Sequence, residues 1–344
     1  MTRMFKLSSS PHIRDKTDIP VIMYSVVGAL LPALGGAVYF FGFQAVKLIL
    51  LSIVTCIAAE GIIGKLSGKS LTIWDGSAIV TGILLAFNLP AGVSWWIPVV
   101  GGFFAIAVGK MTFGGLGYNP MNPALLGRVF LQVSWPLQMN AAWRQPRGFS
   151  GIDAETIATP LAILKKNMQV LLDRDGKTID DVNAAISAMS DLSDSYMDIF
   201  IGNISGCIGE TSVLLLLVGA AYLMYKQYIG WKIPFSYIGT VALLTWIFGG
   251  YEGFFSGPWL FHILSGGLMI GAFFMATDMV TSPVTFKGRI LFGIGCGVLT
   301  TIIRLYGGYP EGVSFSILLM NLTVPLIDRY TRPKIFGKVN NNNA

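Results

Sequence analysis

Ten apolar runs alternate with short polar or glycine-rich stretches, at about 19–42, 45–64, 77–89, 94–109, 122–139, 211–227, 233–249, 259–275, 289–304 and 314–327. A helix needs about 20 residues to cross the hydrocarbon of a bilayer. The first two runs reach that length. Several later ones are shorter and rich in Gly, Pro, Ser and Thr, which suits helices broken within a membrane or buried against other helices. The run at 122–139 is the weakest, because Arg128, Gln132 and Pro136 interrupt it. The pattern predicts an all-α polytopic membrane protein with about ten transmembrane helices.

One polar stretch, 140–209, divides the runs into two sets of five. Five is odd, so the two halves are expected to run in opposite senses, as inverted repeats. A constant offset aligns Pro90 with Pro283, Gly102 with Gly295, Gly114-Gly115 with Gly307-Gly308 and Leu125-Leu126 with Leu318-Leu319. The expected organisation is a segment at 1–18, a first transmembrane repeat at 19–139, an extracytoplasmic region at 140–209, a second repeat at 210–328 and a tail at 329–344. The central region carries an apolar helix stripe, Leu161 and Leu164, and reads as a small folded unit more than as linker.

Charge sets an orientation. Only 12% of the residues are charged and 53% are hydrophobic. That balance excludes a water-soluble enzyme of ordinary composition and a disordered chain. With the N-terminus in the cytoplasm, 15 of the 24 Lys and Arg fall in inside segments, among them Arg3, Lys65, Lys110, Lys226, Lys287 and Arg329. The short outside loops are almost free of positive charge, as the positive-inside rule requires. Region 140–209 then lies outside and both termini inside. The polar N-terminal segment leads into an apolar run too long for a signal peptide, so that run is expected to be retained. His12, His262, Cys56, Cys207 and Cys296 are scattered, which argues against a disulfide framework or a self-contained metal or iron–sulfur motif.

Polar constellations lie in or beside the apolar runs. In the stretch from Ile73 to Pro90, Asp75 stands at a helix start, and Ser77 and Thr81 are one turn apart on one face. With Asn88 they either line a cleft or only cap and pack, and the residues alone do not choose. From Gly114 to Arg128, two Asn-Pro steps place the Asn119 and Asn122 amides where they bind a ligand or satisfy broken backbone. Asp278 lies at a helix end with Thr281 following, and Glu60 and Glu210 are further acids near apolar runs; intramembrane carboxylates are costly unless paired or used. Arg304 either sits inside the bundle or snorkels outward. Thr159 before Pro160 reads as an ordinary helix cap.

Five motifs together carry a family resemblance: WDGSAIVTGILLAFNLP (74–90), GGLGYNPMNPALLGRVF (114–130), ATPL (158–161), GETS (209–212) and TDMVTSP (277–283). The chain resembles the D subunits of Rnf-type ion-translocating ferredoxin:NAD+ oxidoreductase complexes and, more distantly, the B subunits of sodium-pumping NADH:quinone oxidoreductases. The resemblance implies FMN joined through its phosphate to a threonine. Thr159 takes the acceptor position and Thr156 is the fallback, although Thr156-Ile157 departs from the family's Ser-Gly. Phosphate counter-charges would come from Lys165 and Lys166, or from Arg144 and Arg147.

The resemblance further implies a non-covalent flavin, riboflavin or a second flavin, with Asp75, Ser77, Thr81, Asn119 and Asn122 as lining candidates. Asp278 and Thr281, with Glu60 behind them, are the ion-path candidates. No residue is expected to be catalytic in its own right. The expected function is electron transfer within a redox-driven Na+ or H+ pump that couples ferredoxin oxidation to NAD+ reduction. The remaining centres would lie in partners, including an external flavin-bearing subunit and iron–sulfur subunits. A flavin transferase would mature the chain, and the bacterial inner membrane would hold it. A stand-alone secondary transporter and a redox-silent membrane scaffold are the competing classes.

Overall fold

The computed structural model describes residues 17–68, 72–146, 158–172, 179–194, 196–210, 212–250 and 253–333. Residues 1–16, the tail beyond 333, Arg147 and Thr156 lie outside them. The described elements are helical: α1 (Ile19–Phe41), α2 (Phe43–Leu66), α3 (Ser77–Phe87), α4 (Trp96–Ile106), α5 (Pro123–Ser134), α6 (Pro136–Ala141), α7 (Pro160–Leu172), α8 (Ile179–Asp194), α9 (Tyr196–Ile201), α10 (Val213–Tyr225), α11 (Lys232–Phe248), α12 (Trp259–Leu264), α13 (Leu268–Ile270), α14 (Phe286–Tyr306) and α15 (Val313–Tyr330). π-Helical turns extend α4 through Ala107–Met111 and α13 through Gly271–Met275. A short 3-10 turn, Ile73–Asp75, precedes α3.

Among the described residues, α1, α2 and α14 are long and apolar enough to cross a membrane; α3, α4, α10 and α11 are apolar but shorter. At 1.5 Å per residue, the 11 residues of α3 rise about 16 Å, half of a hydrocarbon core of about 30 Å. Large apolar side chains such as Leu31, Leu50, Val54, Leu243 and Leu291 stand exposed on the helix surfaces. Such a surface suits lipid contact and would be a liability in water.

Two helices break inside the protein, and each break has its own partner for the freed carbonyls. Beyond α3, the segment 207–209 pairs with the chain. Gly209 N–H donates to Phe87 O at 2.9 Å, Ile208 N–H donates to Leu89 O at 3.0 Å, and Pro90 bridges Cys207. Between α12 and α13 the backbone turns through Gly266 and Gly267, at φ 75° and 59°, values a side chain would strain. Arg304 of α14 meets that break. It donates to the carbonyls of His262 (2.5 Å), Ser265 (3.2 Å), Gly266 (2.7 Å) and Glu311 (2.9 Å). Of the two placements left open by sequence, the interior one is observed: Arg304 is buried.

The central region seats α7 against α8. Leu161 and Leu164, the expected stripe, bury against Ile199 of α9 and Phe261 of α12. Helices α7 and α9 therefore share a core with the broken α12. The weak run at 122–139 is two helices, α5 and α6, and Arg128 and Gln132 turn inward, buried.

Within the bundle α2 packs on α3 and α4, α4 on α5, α11 on α12 and α14, and α14 on α15; α1 meets α10 and α5 meets α15. Glycines permit the tightest approaches. A Cβ on Gly219 of α10 would stand 2.0 Å from the Ala29 carbonyl oxygen of α1, and one on Gly82 of α3 would stand 2.7 Å from the Ile53 Cα of α2. Gly28 has no neighbour within 4 Å of that point. Gly219→Ala and Gly82→Ala are therefore expected to lose about 1–3 kcal/mol through overpacking, whereas Gly28→Ala should hold or gain stability. Thermal unfolding in detergent, followed by size exclusion, checks this; equal melting temperatures for all three would refute the close approaches.

Candidate functional site

Two cavities hold the sequence-predicted site residues. The first is bounded by α3, the loop into α5 and the end of the π-turn after α13. Ser77, Thr81, Asn119, Asn122 and Asp278 all line it, with Lys110, Tyr228 and Thr277. It encloses about 780 Å³ free of protein atoms, open solvent at its mouth included. Ser77 and Thr81 meet here because they are one turn apart on the inner face of α3; Thr81 Oγ1 donates to Ser77 O at 2.9 Å. Asn122 caps α5, accepting from Ala124 N–H at 3.0 Å, while its Nδ2 donates to Met275 O at 3.4 Å. Asn119 Nδ2 donates to Met121 O at 3.1 Å, and its buried Oδ1 has no partner.

The remaining candidates stand behind this wall. Asp75 does not line the cavity. Its Oδ1 accepts from Ser77 N–H at 2.8 Å and from Ser77 Oγ at 2.5 Å, so it holds the start of α3. Thr281 is buried and donates to Asp278 Oδ2 at 3.1 Å. Glu60 is separate from that pair. Its Oε1 accepts from Lys110 Nζ at 2.7 Å and from Thr72 Oγ1 at 2.5 Å, and Lys110 also donates to Ser77 Oγ at 2.5 Å.

Lys110 corrects the charge tally made from sequence. It is 1% exposed on the π-turn and neutralises Glu60, and so is not a solvated loop charge. Removing one member of a buried pair leaves the other uncompensated, at about 3–5 kcal/mol. Lys110→Met is expected to lower the melting temperature in detergent by that scale, and adding Glu60→Gln should recover most of the loss. A single variant as stable as the parent would show that Glu60 is not held as a buried charge.

The second cavity lies under α7. Thr159, Arg128, Gln132, Asn140, Trp143, Tyr309 and Glu311 are on its walls. Thr159 does cap its helix, its Oγ1 accepting from Ala162 N–H at 3.3 Å, and it is 5% exposed. Trp143 is buried and Tyr309 half-buried, its ring stacked on Phe315 at 5.1 Å. Ser205 Oγ ties the segment before α7 down by donating to Ala158 O at 3.0 Å. Lys165 faces elsewhere. Its Nζ donates to the carbonyls of Ile303 (3.5 Å), Gly307 and Tyr309 (3.3 Å), and burial lowers its pKa. Lys166 and Arg144 are exposed.

Beneath this cavity lies a charged cluster that sequence reading did not assemble. Arg128 Nη1 donates to Asn88 Oδ1 at 2.6 Å, and Nη2 pairs with Glu311 Oε2. Cys207 lies 3.8 Å from Arg128 Nη2, and Glu210 Oε2 accepts from Cys207 N–H at 3.4 Å. Ligand atoms of Cys207, Glu210 and Glu311 fall within 4.8 Å of one another. The Arg128 guanidinium already supplies the positive charge there. Arg128 was legible as a charge that interrupts an apolar run, whereas Glu311 lies in the loop between the last two runs, 183 positions away. Asn88 links the levels, since its Nδ2 also lies 3.5 Å from Met275 Sδ beside the first cavity.

Comparison with known proteins agrees with these motifs. The chain is 47% identical over 334 residues to the D subunit of the proton-translocating ferredoxin:NAD(+) oxidoreductase complex of Clostridium ljungdahlii, covering 97% of this chain and 96% of that one. It is 48% identical over 333 residues to the D subunit of the Na(+)-translocating ferredoxin:NAD(+) oxidoreductase complex of Acetobacterium woodii, covering 96% and 95%. It is 39% identical over 340 residues to the D subunit of an ion-translocating oxidoreductase complex of Stutzerimonas stutzeri, covering 94% and 93%. The model of the NQR2, RnfD, RnfE family matches residues 6–337, and the chain belongs to that family.

Proposed function

We propose that this chain is the electron-transfer D subunit of an Rnf-type complex in a bacterial inner membrane. That complex couples ferredoxin oxidation to NAD+ reduction and drives Na+ or H+ across the membrane. Full-length relatives of nearly equal identity are named for H+ in one case and for Na+ in the other, so similarity does not choose the ion. Partners are the remaining subunits, with iron–sulfur and external flavin carriers among them. With the broken α12–α13 counted as one helix, the halves α1–α5 and α10–α15 share a contact pattern, α2 on α4 and α4 on α5 in one, α11 on α14 and α14 on α15 in the other, which supports a ten-span repeat plan. Exposed Lys65, Lys226 and Arg329 favour cytoplasmic termini.

The single observation that carries the redox reading is Thr159, itself buried, on the wall of a cavity that Trp143 and Tyr309 also line. An isoalloxazine ring fits such walls, and the buried Nε–H of Arg128 there lacks a hydrogen-bond partner. FMN is attached when the Thr159 hydroxyl oxygen forms a bond to the flavin-side phosphorus of FAD. The pyrophosphate P–O bond breaks, AMP leaves, and the hydroxyl proton passes to solvent. A flavin transferase performs this step on a conformer that exposes the hydroxyl. When bound, the flavin supplies the electron chemistry; the chain binds it, orients it and keeps water away.

The first cavity suits a neutral second flavin, riboflavin, because Asn119 Oδ1 is a spare acceptor for a hydroxyl or imide N–H. Ser77, Thr81 and Asn122 complete its polar wall, and Asp75 supports Ser77. Asp278 and Thr281 beside it, with Glu60 behind Lys110, offer oxygens to the transported ion. Coupling requires ion affinity or access to differ between redox states.

Two measurements test these assignments. After co-expression with a flavin transferase, denaturation and peptide mass analysis, the FMN adduct is expected on Thr159 and absent from Thr159→Ala. An unmodified protein from native membranes would remove the covalent flavin and advance the transporter or scaffold classes. Acid extraction should release about one non-covalent flavin per chain, and Asn119→Leu should reduce that yield several-fold without touching the adduct. An unchanged yield would take the second flavin out of the first cavity.

A further inference from the structure

Arg128 is placed unusually for a structural arginine. It sits in the middle of α5, 4% exposed, in an apolar setting that penalises an unused charge. Two of its three nitrogens are committed: Nη1 to Asn88, and Nη2 to Glu311 with Cys207 nearby. The third, Nε, is buried without an acceptor. An unmade hydrogen bond from a buried charged group is costly, and a native structure rarely leaves one without reason. The cavity that Arg128 lines is the one that Thr159 lines.

The surrounding charges do not compete for that donor. Arg304 is spent on four backbone carbonyls, and Glu210 accepts from the Cys207 N–H. Glu311 holds Arg128 through Nη2, and its own backbone carbonyl is held by Arg304. Asn88 is fixed by donating to Leu84 O at 2.6 Å. The guanidinium is thus held through both Nη atoms with its Nε–H left to donate, and a held guanidinium is a directional reader of acceptors.

We propose that Arg128 is a flavin-binding residue whose free Nε–H meets an acceptor of the ring tethered at Thr159, and that Glu311, acting through Arg128, sets the reduction potential of that flavin. This rests on the covalent flavin at Thr159. Reduction brings electron density onto the ring. A fixed guanidinium in a water-poor cavity stabilises that negative charge, and the Glu311 carboxylate attenuates the effect. Arg128 and Glu311 therefore act with opposite sign on one equilibrium, which a purely structural pair would not do.

The experiment is a spectroelectrochemical titration of the purified, flavinylated full chain, with the adduct on Thr159 confirmed by mass in every sample. Glu311→Gln leaves the guanidinium unneutralised and is expected to favour the reduced flavin at least tenfold, about 30 mV upward for a two-electron couple. The double variant Arg128→Gln/Glu311→Gln removes both charges, avoids an orphaned ion, and is expected at least tenfold below Glu311→Gln. A wild type and double variant that bracket no such difference, with all potentials within tenfold of one another, would overturn the assignment. Failure of Glu311→Gln to fold leaves the comparison of wild type with the double variant, which must then fall in the double variant by loss of the Nε–H donor; no fall overturns the proposal. Absence of the adduct from the wild type overturns both this assignment and the covalent flavin, and the mass separates that failure from an unmoved potential.

Discussion

Backbone groups freed where a helix breaks must find partners inside the protein, because a hydrocarbon surround offers none. The structure is arranged around that constraint. Helix α3 stops after 11 residues, and α12 gives way to α13 through two glycines. The first break is answered by the backbone of 207–209 and the second by the side chain of Arg304. Both solutions are long-range. One draws the end of the central region into the bundle, and the other draws α14 across to α12. The interior polar cluster exists because these partners had to be brought in.

Polar residues at the helix ends tie the interior together. Asn122 caps α5 and reaches Met275; Asn88 ends α3 and receives Arg128. Between the cavities runs a chain of contacts, Glu311 to Arg128 to Asn88 to Met275, from the Thr159 side to the Asn119 side. A charge change at one end is felt along such a chain because burial limits screening.

Burial also separates the two ion pairs from ordinary surface salt bridges. Glu60–Lys110 and Arg128–Glu311 are both nearly solvent-free. A buried pair seldom adds stability over an apolar substitute of equal size, so its retention points to a role that needs charge. Each pair reaches a cavity: Lys110 lines the first, and both Arg128 and Glu311 line the second.

Sequence by itself determined the helical class and brought forward Ser77, Thr81, Asn119, Asn122 and Asp278, which line the first cavity. Hydrophobic run length and one-turn spacing are local quantities, and Ser77–Thr81 and Asn119–Asn122 lie close in the chain. It also determined family membership, since motifs such as GGLGYNPMNPALLGRVF are contiguous. Tertiary structure decided what those segments meet. Lys110 is a buried counter-ion and not a loop charge, Lys165 holds α14 and not Thr159, and Asp75 supports a wall it does not line. The pairing of Arg128 with Glu311 and the docking of 207–209 on the end of α3 join residues about 120 to 180 positions apart. No periodicity encodes such contacts; they follow from which broken backbone each side chain can reach once the helices have packed.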